Sequence, residues 1–318
     1  MIGLFVMTDQ VKIQFLGTGA AVPSLRRGLP SLAILHDGGI ILCDIGEGTQ
    51  LNILRAGLPP SKIHTILISH LHGDHIFGLP GFLTSQQMMD RVNPLTIIGP
   101  PGIRQYYDHI RSIAGFDIQY PLYFKELTQE ENNSMLVGPF QVTAKPLEHR
   151  TVCYGYRLSE SPKAGKFNSQ AAAALGIPEG SQRRDLQQGI PVQINGKLIK
   201  PEQVVGPPVP GRIIAYLTDT RPCVNALELA RTATALIFDS TFSGDHAERA
   251  QQTFHSTSVQ AAELARQAVA GQLLLWHISI RNGEEIEAAM LREARTIFPN
   301  TLMPADYETV EIFRPGQR

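Results

Sequence analysis

The segment that most constrains this chain is a largely apolar run, Ile63-His64-Thr65-Ile66-Leu67-Ile68-Ser69, followed at once by His70-Leu71-His72-Gly73-Asp74-His75. A run of that composition reads as a strand covered on both faces, as in a parallel sheet. Three imidazoles and a carboxylate within six residues do not read as packing, because each would need a buried partner. A solvated histidine-rich loop is the alternative, and the spacing disfavours it. His70 and His72 are two apart, so an extended backbone points both to one side. Gly73 permits a tight turn that brings Asp74 and His75 round to a second centre beside the first. Neutral imidazole and carboxylate are ligands suited to zinc and its neighbours.

Four ligands do not close two metal sites, so the rest of the chain must offer more. Three candidates follow buried strands, where ligands gather in an open α/β sheet. His149 comes shortly after the strand at 140–144, Asp219 after 213–217 and His277 after 273–275. Any one of them alone would read as structural; their shared position, given the hexapeptide, makes them ligand candidates. His36, His64, His109 and His246 have no such setting and read as surface or core residues. Asp44 ends a strand before Gly46 and Gly48, where it suits a turn or an orienting role better than direct ligation. The run Gly17 to Val22 lacks the third glycine of a dinucleotide loop, and Pro23 interrupts its helix.

At 318 residues the chain has room for about two domains, although single α/β sandwiches reach this length too. With 43% hydrophobic and 18% charged residues it is neither disordered, collagenous nor a coiled coil. A net charge of −1 excludes nucleic-acid binding over the whole surface, so any such contact must come from a local patch. Cys43, Cys153 and Cys223 are scattered and odd in number, which argues against a disulfide framework and for a reducing compartment. The apolar run at 2–7 is too short for a secretory segment, and no stretch reaches the length of a membrane span. These features point to a cytoplasmic α/β protein.

Segments at 11–16, 40–43, 63–69, 95–98, 140–144, 213–217, 235–238 and 273–275 read as strands, with helices at 49–56 and 258–269. Thr257-Ser258-Val259-Gln260 is a capping-box sequence for the second helix. Residues 155–212 differ, being rich in Gly, Pro and Gln, with one hairpin signal turning at Asn195-Gly196. Eight basic residues against four acidic ones give this stretch a net +4. From charge alone it is either a solvated surface loop or an arm that touches phosphate.

Taken together, these residues resemble the metallo-β-lactamase fold family, whose His-x-His-x-Asp-His motif binds two metals. More narrowly they resemble the ribonuclease Z family of endonucleases, which trim tRNA precursors at their 3′ ends. The matching stretches are FLGTGAAVPS (15–24), DIGEGTQ (44–50), ISHLHGDHIFGLPG (68–81), YGYR (154–157), DTRPC (219–223), HSTSVQAAELA (255–265) and WHIS (276–279). The resemblance implies an α/β fold, a metallo-β-lactamase-type αββα sandwich with a protruding flexible arm. Residues 1–154 and 213–318 would form the catalytic domain, and 155–212 the inserted basic arm that clamps tRNA.

The resemblance also implies roles. His70, His72 and His149 would hold one metal, Asp74, His75 and His277 the other, and Asp219 would bridge them. The cofactor would be two Zn²⁺ per subunit, with Mn²⁺ as the alternative. Asp74 would accept a proton from water, and His255, oriented by Asp239, would donate one to the departing 3′ oxygen. Lys163, Lys166, Arg183 and Arg184 would contact the tRNA precursor, in a homodimer. Two departures from the family pattern stand out. Thr218 replaces the glycine usual before the bridging aspartate. Phe238-Asp239-Ser240-Thr241-Phe242 stands where the family usually reads His-Glu-Ala-Thr-Phe, so Asp239 is one methylene shorter than the usual partner of His255. The competing readings are a generic phosphodiesterase or a small-molecule thioester hydrolase on the same fold. A redox di-iron protein and a metal-free scaffold are disfavoured by His72 and by the full set of ligand positions.

Overall fold

The computed structural model describes residues 9–128 and 133–317; the run at 2–7 lies outside them. Two compact units emerge. The larger holds the residues up to Ser159 together with Ile213–Ile312, and the smaller holds Glu160–Arg212 with the residues from Phe313 on.

The larger unit is built on two seven-stranded sheets. In the first, Thr309–Ile312, Val11–Gly17, Ser31–His36, Gly39–Cys43, Ile63–Leu67, Leu95–Gly99 and Leu122–Glu126 lie side by side. The last four of these run parallel. In the second the order is Thr301–Leu302, Leu273–Trp276, Ala235–Asp239, Ile213–Leu217, Tyr154–Glu160, Phe140–Pro146 and Asn133–Val137, with the first four parallel. Ile13, Phe15, Ile34 and Ile41 from one sheet and Phe140, Tyr156, Ile237 and Trp276 from the other belong to one buried cluster, the layer between the sheets. Outside the first sheet, helices Leu79–Met88 and Ile103–Ala114 bury Phe82, Leu83, Ile103 and Tyr107. Outside the second, Ser258–Gln267 and Glu284–Ile297 bury Ala261, Ala262, Met290 and Ala294. This is the expected αββα sandwich. Because each central strand is covered on both faces, its sequence is continuously apolar rather than alternating.

The capping box forms as its sequence requires: Thr257 Oγ1 accepts from Gln260 N, and Gln260 Oε1 accepts from Thr257 N. All three cysteines are free. Strand Tyr154–Glu160 continues through Gly155, so the smaller unit begins at Glu160 rather than at Gly155. Tyr154, Tyr156 and Leu158 alternate into the core, while Arg157 donates to the Leu229 and Arg231 carbonyls. The smaller unit has its own core of Ala172, Ile177, Leu186, Val192, Ile194, Ile199 and Val204. Its hairpin turns at Asn195 and Gly196, both at positive φ, as a two-residue type I′ turn demands.

His36 and His64 form a half-buried pair, Nε2 to Nε2 at 2.9 Å. Burial, then the neighbouring His64, pulls the His36 imidazole down to about 4, and burial with Arg91 lowers His64 as well. Both rings fold neutral, whereas the unfolded chain takes up protons below about 6.5. Stability is therefore full above about pH 6.5 and lost as the pH falls towards 4. Replacing His36 by Gln should flatten that acid loss, read as the slope of Tm against pH between 7 and 4.5. Parallel slopes for the two proteins would rule the pair out as a source of it.

Candidate metal centre

The parallel strands of both sheets deliver their functional side chains at their C-terminal ends. Asp44 follows Cys43, His70 follows the strand at 63–67, Asp219 follows Leu217, Asp239 ends its strand and His277 follows Trp276. Asp44, Asp219 and His277 all take positive φ, 56°, 48° and 61°. Non-glycine residues rarely adopt that conformation, and here it turns each chain sharply out of its strand. After the extended His72, a short helix Gly73–Ile76 carries Asp74 and His75 to the other side of the centre. Gly73 serves here through its missing Cβ rather than through a special backbone angle: a Cβ would lie 2.3 Å from the Phe77 ring. Gly46 likewise lets the loop after Asp44 press against the Asp74 carbonyl, where a Cβ would lie 2.3 Å away.

All seven expected ligands converge. His70, His72, His149 and Asp219 form one group, and Asp74, His75 and His277 another. Asp219 faces both: its Oδ2 lies 3.6 Å from His70 Nε2 and 3.9 Å from His149 Nε2, and its Oδ1 lies 3.3 Å from His75 Nε2 and 3.2 Å from His277 Nε2. His70 Nε2 lies 2.9 Å from His72 Nδ1, and His149 Nε2 lies 3.3 Å from the same atom. Asp74 Oδ2 lies 3.5 Å from His75 Nε2 and 3.7 Å from His277 Nε2. A tetrahedral ion with bonds of about 2.0–2.1 Å sets its ligands roughly 3.4 Å apart, so these spacings suit divalent zinc-like cations. The charge balance agrees. Among the described residues, Asp44, Asp74, Asp219 and Asp239 form ion pairs with histidines and none with Lys or Arg.

Burial lowers the His70, His72 and His149 imidazoles and favours the neutral form that ligates. Burial acts the same way on His75, but the Asp219 and Asp44 carboxylates outweigh it and raise that ring well above its ordinary value. Burial raises the Asp219 carboxyl, and His277, His75 and His70 more than reverse the effect and hold it well below the usual range.

His255 stacks on His277 at 5.3 Å between centroids, and its Nδ1 donates to Asp239 Oδ2 at 2.7 Å. The shorter Asp239 thus reaches its partner. Its lone pairs are used in full: Oδ2 also accepts from Thr220 N, and Oδ1 accepts from the Thr241 amide and hydroxyl. Asp239 and His255 fall within ligand distance of Asp219 and His277, but a carboxylate so occupied suits orientation rather than ligation. Burial pulls the His255 imidazolium down, and the charge and hydrogen bond of Asp239 bring it up to about 9.

Several site residues escaped the sequence reading. Thr241 Oγ1 accepts from His277 Nδ1 at 2.9 Å while donating to Asp239. The Phe254 carbonyl accepts from His149 Nδ1, and Arg221 stacks 4.1 Å above the Phe254 ring. Thr218, which the sequence did single out, donates to Asp219 Oδ1. Beside the two groups lies a cleft of about 370 Å³ whose walls include Val22, His72, Phe242, His255, Ile280 and Arg281.

Lys163, Lys166 and Arg184 are exposed on the smaller unit, and the Arg183 guanidinium is occupied by the Ile177 carbonyl. His109 and His246 are exposed, as expected of residues outside the site.

Residues 11–110 match the family model of the anti-Pycsar protein Apyc1. Among solved structures, the chain is similar to human tRNase Z, short form, at TM-score 0.70 and 24% identity over 95% of this chain and 99% of that one. It is also similar to YhfI of Bacillus subtilis, a metallo-β-lactamase fold protein, at TM-score 0.67 and 17% identity over 96% and 100%. Two curated relatives, both named ribonuclease Z, cover nearly the whole chain. That of Methanosarcina acetivorans is 38% identical over 96% of this chain and 99% of its own length. That of Enterococcus faecalis is 41% identical over 95% and 97%. At that identity and coverage, on this fold, the chain belongs to the ribonuclease Z family.

Proposed function

We propose that this protein is a metal-dependent endoribonuclease that removes 3′ trailers from tRNA precursors. The observation that carries the reading is the His255–Asp239 pair, 2.7 Å apart and stacked on His277, within a member of the ribonuclease Z family. Hydrolases of many kinds need only the two ligand groups, whereas this pair adds a proton donor for a poor alkoxide leaving group.

His70, His72, His149 and Asp219 would hold one cation, and Asp74, His75, His277 and Asp219 the second. We take these as two zinc ions per subunit, with manganese as the alternative. Divalent cations, if held there, would neutralise the phosphoryl oxygens and acidify water near neutral pH. Asp74, its Oδ2 held by the Ala21 amide at 2.9 Å, accepts the proton of the attacking water. The new bond forms to phosphorus and the P–O3′ bond breaks. His255 returns a proton to the departing oxygen, leaving a 3′-hydroxyl on the tRNA and a 5′-phosphate on the trailer.

The smaller unit supplies binding through Lys163, Lys166 and Arg184. The molecule is a cytoplasmic homodimer in this reading. No helix among the described residues is long and apolar enough to cross a membrane.

The test is a single-turnover assay on a tRNA precursor carrying a 3′ trailer. One cut beside the acceptor stem is expected, abolished by chelator and restored by zinc or manganese. Cleavage of a small phosphodiester without cleavage of the precursor would move the protein to a different phosphodiesterase substrate. Silence on both would favour thioester-type chemistry.

A further inference from the structure

We propose that Asp44 and Ser69 form one positioning device that fixes the ring tautomer of a histidine in each ligand group. The proposal rests on the metal-centre reading above. Asp44 is fully buried. Its Oδ2 accepts from His75 Nδ1 at 2.7 Å, from Ser69 Oγ at 2.7 Å and from Tyr216 Oη at 2.6 Å, and its Oδ1 accepts from the Ser69 amide at 2.7 Å. His70 Nδ1 lies 2.9 Å from Ser69 Oγ.

The proton count follows from these contacts. A carboxylate only accepts, so the single Ser69 hydroxyl proton goes to Asp44. Ser69 Oγ is then left as an acceptor, and His70 must meet it with an Nδ1–H. His75 meets Asp44 directly with its own Nδ1–H. Both rings therefore turn Nε2 towards the centre, His70 at 3.6 Å from Asp219 Oδ2 and His75 at 3.3 Å from Asp219 Oδ1. One carboxylate thus orients a ligand of each group, His75 by contact and His70 through a hydroxyl. Other histidines of the centre use separate acceptors, Thr241 for His277 and the Phe254 carbonyl for His149.

Two substitutions separate the branches. In Asp44→Asn, the amide oxygen remains opposite the Ser69 amide and the NH₂ group replaces Oδ2. It donates to His75 Nδ1 and to Ser69 Oγ, so the serine proton turns to His70 Nδ1. Both rings then carry the proton on Nε2, the wrong tautomer for ligation through that atom. Ser69→Ala removes the His70 branch; His75 loses only a 3.5 Å contact with Ser69 Oγ and keeps its 2.7 Å bond to Asp44.

The experiment loads the whole 318-residue chain with zinc, counts ions by native mass spectrometry and follows their release into a chromophoric chelator without substrate. Ser69→Ala should release one ion roughly 10–100-fold faster and leave the other unchanged, and Ser69→Thr should restore the slower rate. Asp44→Asn should lose or accelerate both. Histidine ¹⁵N spectra of Ser69→Ala should show one altered Nδ1–H, that of His70, whether or not Asp44→Asn folds. Equal acceleration of both ions by Ser69→Ala, or of neither, would overturn the device. A wild-type protein that binds neither zinc nor manganese would instead overturn the metal centre, and the device with it.

Discussion

Replacing His255 by Ala should slow single-turnover cleavage of a tRNA precursor by roughly 10²–10⁴-fold, the usual contribution of a positioned general acid. Asp239→Ala should cost a comparable factor, and the double variant should be little worse than either single one. Asp239 Oδ2 takes the Nδ1 proton of His255, which leaves Nε2 to carry the proton that is donated. The same carboxylate offsets the burial that would otherwise neutralise the ring, and holds it near 9, protonated at neutral pH. Without Asp239 the imidazole is both misoriented and deprotonated, so little is left for the second substitution to remove. Asp239 also steadies His277 through Thr241, so each variant's zinc content must be measured alongside its rate. With metal content equal, losses that multiply in the double variant would show that the two residues act separately.

The candidate ligand set was legible because its chemistry is rare and its positions are regular. Apolar strands at 213–217 and 273–275 announced that Asp219 and His277 would sit at sheet ends, and both do. Asp44 stood before two glycines, and its Oδ2 meets His75 Nδ1 at 2.7 Å, a contact that suits an orienting role. Ser69, Tyr216 and Thr241 were not legible, since a hydroxyl carries no spacing signal and its role depends on which acceptor the fold brings within 3 Å. The same holds for the Phe254 carbonyl, which belongs to the backbone at a positive-φ residue and has no side-chain signature at all. Residues 155–159 were read as part of the Gly-, Pro- and Gln-rich insert, and Gly155, Arg157 and Ser159 do interrupt their apolar pattern. Those residues alternate with Tyr154, Tyr156 and Leu158, and a strand needs only that alternate set for the core.

Deleting residues 160–212 should raise KM for a structured tRNA precursor by roughly 10–100-fold, while kcat/KM for a small phosphodiester stays within about twofold. The cut is feasible because Ser159 and Ile213 face each other in an antiparallel pair, so a two-residue Asn-Gly turn can join them. The smaller unit has its own core, and its removal takes no residue from either buried layer of the sandwich. Its 160–212 stretch carries seven basic against four acidic residues, a net +3. Arg212 is paired with Glu160, and Arg183 is occupied by Ile177, so exposed Lys166, Arg184, Lys197 and Lys200 are the leading candidates for phosphate contacts. About three phosphate contacts would give log K a slope near −2 to −3 against log salt, a factor of tens between 50 and 200 mM. The deletion should therefore remove most of the salt dependence of precursor binding along with the affinity. A small diester reaches only the cleft beside His255 and offers the arm nothing to hold, so its turnover reports on the integrity of the centre. Equal losses on both substrates, with melting temperature preserved, would mean that these residues support the centre itself and that recognition of the tRNA lies elsewhere.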